Sequence, residues 1–196
     1  KVKEFCNDQK QRLKEYYDVF VNNVILRNRT IGVGVLSRED AISLGATGGT
    51  GRASGWACDV RKRHPYALYD KVDFKEILHK GGDSYDRLLV RLEEIVESIR
   101  IIEQLIDNIP EGEYKTKTKP IIKLPEGQFS ASVEGSRGEF GVFIESHGDK
   151  TPYRVKFRPT GLPLIAVAQK IMKKHKVADL ITIGASLDYV IPDIDR

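Results

Sequence analysis

Apolar residues recur at alternating intervals of three and four through Tyr85, Leu88, Leu92, Ile95, Ile99, Ile102 and Ile106. That spacing stacks one continuous apolar stripe along a helix. Asp83 or Ser84 is placed to cap the first turn, and Asn108 and Pro110 supply the stop, so a helix is predicted over residues 82–110. At 1.5 Å rise per residue it would be roughly 38 Å long, enough to cross a domain. Leu89, Val90, Val96, Ile101 and Leu105 fall off the stripe, so more than one side needs covering. The pattern places this helix at the centre of a bundle.

The same rhythm runs through Val2, Phe5, Leu13, Tyr16, Phe20 and Val24, interrupted only by Gln9, and predicts a second long helix over residues 2–26. A short helix follows, opened by Ser37 with Asp40 three residues on and closed by Gly45. Near the other end Pro163 marks the first turn of a helix reaching about Lys176, whose lysines suit the negative pole of the helix dipole. Residues 178–187 are almost wholly apolar and are expected to form a short buried helix. Between these helical parts the period changes to two. Residues 139–146 and 153–158 read as a β-hairpin with His147, Gly148 and Asp149 in its turn. Residues 111–138 read as a linker carrying one short strand at 120–124. The expected class is therefore α+β, mainly helical, a single unit of three parts: helical core 1–110, linker and hairpin 111–158, C-terminal helices and tail 159–196.

Composition narrows the class without deciding the function. The 196 residues are 40% hydrophobic and 31% charged, as in ordinary globular chains. No apolar run approaches the ~20 residues of a membrane span, and the charged first residues do not resemble a signal peptide. The chain opens on Lys1 in mid-helical pattern, so a piece of a longer protein is expected, with the remainder upstream. A net charge of +4 with Lys and Arg interspersed among Asp and Glu makes a weak case for nucleic acid, and none is expected as a partner. Cys6 and Cys58 are too few for a disulfide framework, so a reducing compartment is expected. The four histidines lack metal-ligand spacing.

Three stretches invite chemistry. The run GATGGTGRASG at 45–55 resembles a phosphate cradle, but Arg52-Ala53 stands where a Walker A loop needs Lys-Ser/Thr. A close-packed backbone turn is the expectation. Arg61, Lys62, Arg63 and His64 lie among Trp56 and Tyr66, either a solvated loop or a docking surface. Arg154, Lys156 and Arg158 alternate with Tyr153, Val155 and Phe157, which puts the cations on one strand face about 6.6 Å apart. That row is either solvated or a docking face for an acidic partner.

Taken together, GRASG at 51–55, DVRK at 59–62 with Pro65-Tyr66, GDSYDRLLVRLEE at 82–94, SIRII at 98–102, IPEG at 109–112, RGEFGV at 137–142, PYRVKFR at 152–158 and the final D-x-D-R resemble the D subunit of respiratory complex I. The matches keep the family's order over essentially the whole chain. That family is similar to the large subunit of nickel-iron hydrogenases, whose tail pattern D-P-C-x-x-C-x-x-H binds the bimetallic centre. Val190 and Asp193 stand in place of the two cysteines here, and Arg196 in place of the histidine. Without soft ligands no nickel-iron site is expected, and no metal or other cofactor is assigned to this chain.

The resemblance implies a subunit of an NADH-quinone oxidoreductase, passing electrons from NADH to a quinone with coupled proton translocation. NADH and the iron-sulfur clusters would reside in partner subunits, and no catalytic residue is expected within this piece, which alone should be inactive. Asp188 and Val190 would lie near the quinone, and Arg196 near the terminal cluster, favouring its reduced form. The implied partners are the B subunit with that cluster, the C subunit and the membrane arm, at the cytoplasmic face of a bacterial inner membrane. The alternative reading is a non-catalytic scaffold that docks the cluster-bearing subunits.

Overall fold

The computed structural model describes residues 1–117 and 121–194. The long central helix is present as α6 (Ser84–Leu105), and the Asp83 carboxylate accepts the Asp86 amide at 2.8 Å to cap it. It ends before Asn108 and Pro110. Its buried face is not the single stripe its spacing suggests: Val90, Leu92, Ile99 and Ile101 are buried, while Ile102 and Val96 are 37% and 46% exposed. The helix meets a different neighbour on each part of its length. Leu92 packs with Leu13 and Val21, whereas Ile101 packs with Val72 and Phe74.

The second long helix is broken. α1 (Val2–Tyr16) passes into one π-helical turn, Tyr17–Val21, and Asn23 then starts α2 (Val24–Thr30) by accepting the Ile25 and Leu26 amides. The wider turn shifts the register, because a π-turn inserts an extra residue. Cys6, Leu13 and Val21 are buried, and the expected Val2, Phe5, Phe20 and Val24 stay exposed.

α3 (Arg38–Ser43) is capped by the Ser37 hydroxyl as predicted, with Gly45 at φ +67° beyond its end. The glycine-rich run contains a short buried helix, α4 (Gly48–Ala53), in place of the expected close-packed turn. Close packing is nevertheless its use: a Cβ on Gly48 would stand 2.5 Å from Gly138 Cα, and one on Gly51 2.3 Å from the Ala46 carbonyl oxygen. A four-residue helix, α5 (Val60–Arg63), follows, opened by Asp59.

The hairpin exists, but it belongs to a three-stranded antiparallel sheet: β1 (Gly127–Gly135), β2 (Gly138–Ser146) and β3 (Arg154–Arg158), in that order. β1 lies inside the expected linker. Residues 121–124 of the predicted strand are not in strand conformation, and residue 120 lies outside the described residues. The alternation Phe129, Ala131, Val133 against Ser130, Ser132 is β-like, with small residues diluting the apolar signal.

α7 (Gly161–Ile171) stops short of the predicted Lys176, and α8 (Val177–Leu187) follows. Only one side of α8 is buried, against expectation: Ile183 and Leu187 join Leu36, Ala41, Val167 and Ile171 in the main core, while Val177 and Ile181 are exposed.

Candidate functional site at the C-terminal tail

The last turn of α8 delivers Asp188 into the left-handed region at φ 54°, ψ 39°. Few residues other than Gly, Asn and Asp adopt it readily. This bend carries the chain across to the two-residue turn between β1 and β2. There Arg137 Nε donates to the Asp188 carbonyl at 2.8 Å and lies 3.2 Å from its carboxylate. Val190 follows, then a 3-10 turn, Ile191–Asp193, with Pro192 inside it. The Asp193 carboxylate accepts the Gly161 amide at 2.8 Å and the Thr160 hydroxyl at 3.1 Å, satisfying donors at the start of α7. The tail is thus pinned twice.

Two cavities flank it. One of about 330 Å³ is lined by Arg137, Phe140, Thr160, Val190, Pro192 and Asp193. The other, about 320 Å³ and mostly apolar, is lined by Leu26, Leu88, Arg91, Thr182, Ser186 and Asp188 among others. The two residues the sequence singled out therefore serve different cavities, Val190 one and Asp188 the other. The Arg137–Asp188 pair stands at their boundary. Arg196 lies outside the described residues.

Two arginines that the sequence reading passed over support this end of the molecule. Arg87 is fully buried and donates to the carbonyls of Gly82 at 2.8 Å and Gly34 at 2.9 Å. It also reaches Ser84 Oγ at 3.1 Å and, near the end of α8, Ser186 Oγ at 3.0 Å. Burial pulls its pKa down to about 10. One turn on, Arg91 borders the Asp188 cavity, its pKa lowered by burial against the pull of Asp188 and Glu94. Their spacing of four, which sets both on one face of α6, is the signal that sequence reasoning could have used.

Elsewhere the glycine-rich helix supplies an ion network. Arg52, 2% exposed, binds Glu94 at 2.5 Å and Glu134 at 2.7 Å, and Glu134 also accepts the Val60 amide at 3.1 Å. Burial alone would lower the Arg52 pKa, but the two carboxylates outweigh it and raise it. The adjacent Cys58 thiol is pushed up to about 12, chiefly by burial, and stays protonated. Arg61 is held by a bidentate pair with Asp59 and lies over the Phe74 ring at 4.9 Å, so it belongs to the fold. Lys62, Arg63 and His64 are exposed.

The row of Arg154, Lys156 and Arg158 is incomplete as a surface. Arg158 turns inward to donate to the carbonyls of Glu139 and, at 3.0 Å, Gly45. Arg154 and Lys156 remain exposed. Among the described residues no group of three or more His, Cys, Asp or Glu side chains converges to hold a metal ion. No helix there is long and apolar enough to cross a membrane.

This fold is shared with a component of a respiratory assembly. The chain is similar over its whole length to one chain in the structure of the membrane-bound sulfane sulfur reductase, an archaeal respiratory membrane complex. The TM-score is 0.92 at 37% identity, covering 54% of that chain. The family described as Respiratory-chain NADH dehydrogenase, 49 Kd subunit, matches residues 1–123 and 117–196, and the chain belongs to that family. The C/D subunit of the NADH-quinone oxidoreductase from Phocaeicola vulgatus is 67% identical over all 196 residues, which make up 38% of its length. The D subunit of the Bacillus cytotoxicus enzyme is 40% identical over the same residues, 54% of its length. The chain thus spans about half of such D-type relatives and corresponds to their C-terminal part.

Proposed function

We propose that the chain works as the C-terminal part of the D subunit of an NADH-quinone oxidoreductase. The observation that carries this is the whole-length match to the family and to relatives bearing that name. In the intact enzyme, electrons from NADH pass through iron-sulfur clusters on other subunits to a quinone, which takes up two electrons and two protons, with coupled proton translocation. The B subunit with the terminal cluster, the C subunit and the membrane arm are the partners, at the cytoplasmic face of the membrane.

Val190 contributes an apolar wall to the quinone-reactive region, and Asp188 a carboxylate oriented by Arg137. The mostly apolar cavity on the Asp188 side, with its few fixed polar groups, suits a quinone, whose ring is apolar and whose two carbonyls accept hydrogen bonds. Arg196 acts near the terminal cluster. Val190→Met in the assembled complex tests the reading. It is expected to change inhibitor sensitivity or the KM for quinone by several-fold while the complex assembles normally, because the longer, unbranched thioether reaches further into the cleft that Val190 lines. An unchanged response with normal assembly removes Val190 from the quinone region.

A further inference from the structure

The three strands sort most of their apolar and polar side chains onto opposite faces. Residues 129, 131 and 133 of β1 face residues 144, 142 and 140 of β2, and residues 155 and 157 of β3 continue the rows. One face of the sheet is therefore Phe129, Ala131, Val133, Phe140, Val142, Ile144, Val155 and Phe157, with Ser146 at its end opposite Gly127. The other face carries Ser130, Ser132, Glu134, Glu139, Glu145 and the three cations, with Phe143 the one large apolar residue among them. Antiparallel sheets with one wet face ordinarily turn the apolar one to the core. Here the polar face looks inward only at one end, where Glu134 reaches Arg52 of α4 and the Val60 amide of α5, and is open at the other, where Ser130, Arg154 and Lys156 are exposed. On the apolar face Phe129, Val133 and Val155 are 44%, 42% and 41% exposed. An apolar surface this continuous marks a contact.

We infer that this face is the seat of the upstream portion of the D subunit, which lays an apolar layer of its own across β1–β3. Two observations select that occupant. The D-type relatives carry almost as much chain again before the part matched here, so a large covering layer is available within one polypeptide. The face also runs into the tail cleft, because Phe140 stands on it and lines the cavity with Val190 and Pro192. The same layer that covers the sheet therefore roofs the Val190 cleft. Sheet faces pack about 10 Å from their covering layer, which brings that layer within side-chain reach of the cleft.

The test uses the full-length D subunit purified free of other subunits. Single cysteines are placed at Val133→Cys and Val155→Cys on the apolar face and at Lys156→Cys on the polar one. The native Cys6 and Cys58 are buried and give little background. The apolar-face cysteines are expected to react with a maleimide at least about tenfold more slowly than the control, as sites that react only through local opening do. Radical footprinting of the unsubstituted subunit should show Phe129 protected to a similar degree, which removes dependence on the substitutions. Equal rates in the isolated subunit overturn the inference. So does protection that appears only in the assembled complex, which assigns the face to another subunit, or only at high concentration, which assigns it to a second copy. The labelling reports coverage of the sheet whether or not Val190→Met alters the quinone response.

Discussion

Arg52 and Arg137 both bind carboxylates, in surroundings that give them opposite uses. Arg52 is 2% exposed and holds Glu94 and Glu134, so it ties α4 to α6 and to β1. Arg137 and Asp188 keep 35% and 44% of their side-chain surface in solvent, at the boundary of two cavities. A buried pair cannot lose one member without leaving the other's charge desolvated, so it acts as a fixed joint. An exposed pair contributes at most about 1 kcal/mol and can be rearranged. The Arg137–Asp188 contact can therefore rearrange, and the Arg52 network holds rigid the sheet from which Arg137 projects.

The largest effect should come from breaking the joint. Arg52→Met leaves the buried Glu134 and the partly buried Glu94 without a cation, and the expected loss is about 3–5 kcal/mol in a urea titration of the subunit. Adding Glu94→Gln and Glu134→Gln should recover most of it. If the single substitution costs no more than a surface pair, the contrast between the two regions collapses.

The acid limb of stability comes next, through Asp59. Burial pushes its carboxyl up, but the bidentate Arg61 pair prevails and holds it below its ordinary value of 3.8. A depressed folded pKa contributes stability that is present above the unfolded value and lost as pH falls through the folded one. Glu134 runs the other way. Burial raises its pKa above the ordinary 4.5 despite Arg52, so its contribution is present below that value and fades as pH rises through the folded one. Asp59→Asn should accordingly flatten the fall of the thermal midpoint below about pH 4, measured by calorimetry. An unchanged acid limb would remove Asp59 from the network.

Much of the frame was legible because its signals are local. Ser37 and Asp83 cap the helices they precede, and alternation marked β2 and β3. What escaped depends on distant partners. Arg87 in the run DRLLVR carries no local sign of its burial, since its acceptors include Gly34 and Ser186, 53 and 99 residues away. Arg52 lies in a glycine run whose helical state depends on Gly48 abutting Gly138. Three-four spacing could not reveal the π-turn at Tyr17–Val21, because the stripe fits either register until Val21 packs with Leu92. At the tail the opposite held. Asp188 and Val190 stood out through the resemblance alone, and their cavities became visible only with Arg137 and Phe140 beside Val190 and with Leu88 and Arg91 beside Asp188.

Asp193 tests the second pin of the tail. Asp193→Ala removes the acceptor for the Gly161 amide and the Thr160 hydroxyl, and the expected cost is about 1 kcal/mol, as for other helix caps. That lies between the two regions. If the cost equals that of Arg52→Met, the tail is part of the rigid frame and the distinction between joint and site is wrong.

The smallest stability change should be at Asp188, and it is the most informative for function. Asn tolerates the left-handed conformation nearly as well as Asp, so Asp188→Asn keeps the bend and the hydrogen bond from Arg137 to its carbonyl while removing the charge. Unfolding should move by less than about 1 kcal/mol, as for an exposed pair. If the carboxylate matters only as a surface charge, quinone reduction by the assembled complex should be equally unaffected. If it stands beside the quinone, the pH profile of reduction or the inhibitor response should shift while stability does not. Asp188→Ala adds the separate penalty of a Cβ-bearing residue without a local hydrogen-bonding group in the left-handed region. Comparing Asn with Ala therefore separates charge from backbone. An Ala variant that loses activity while the Asn variant keeps it would make Asp188 a bend residue only.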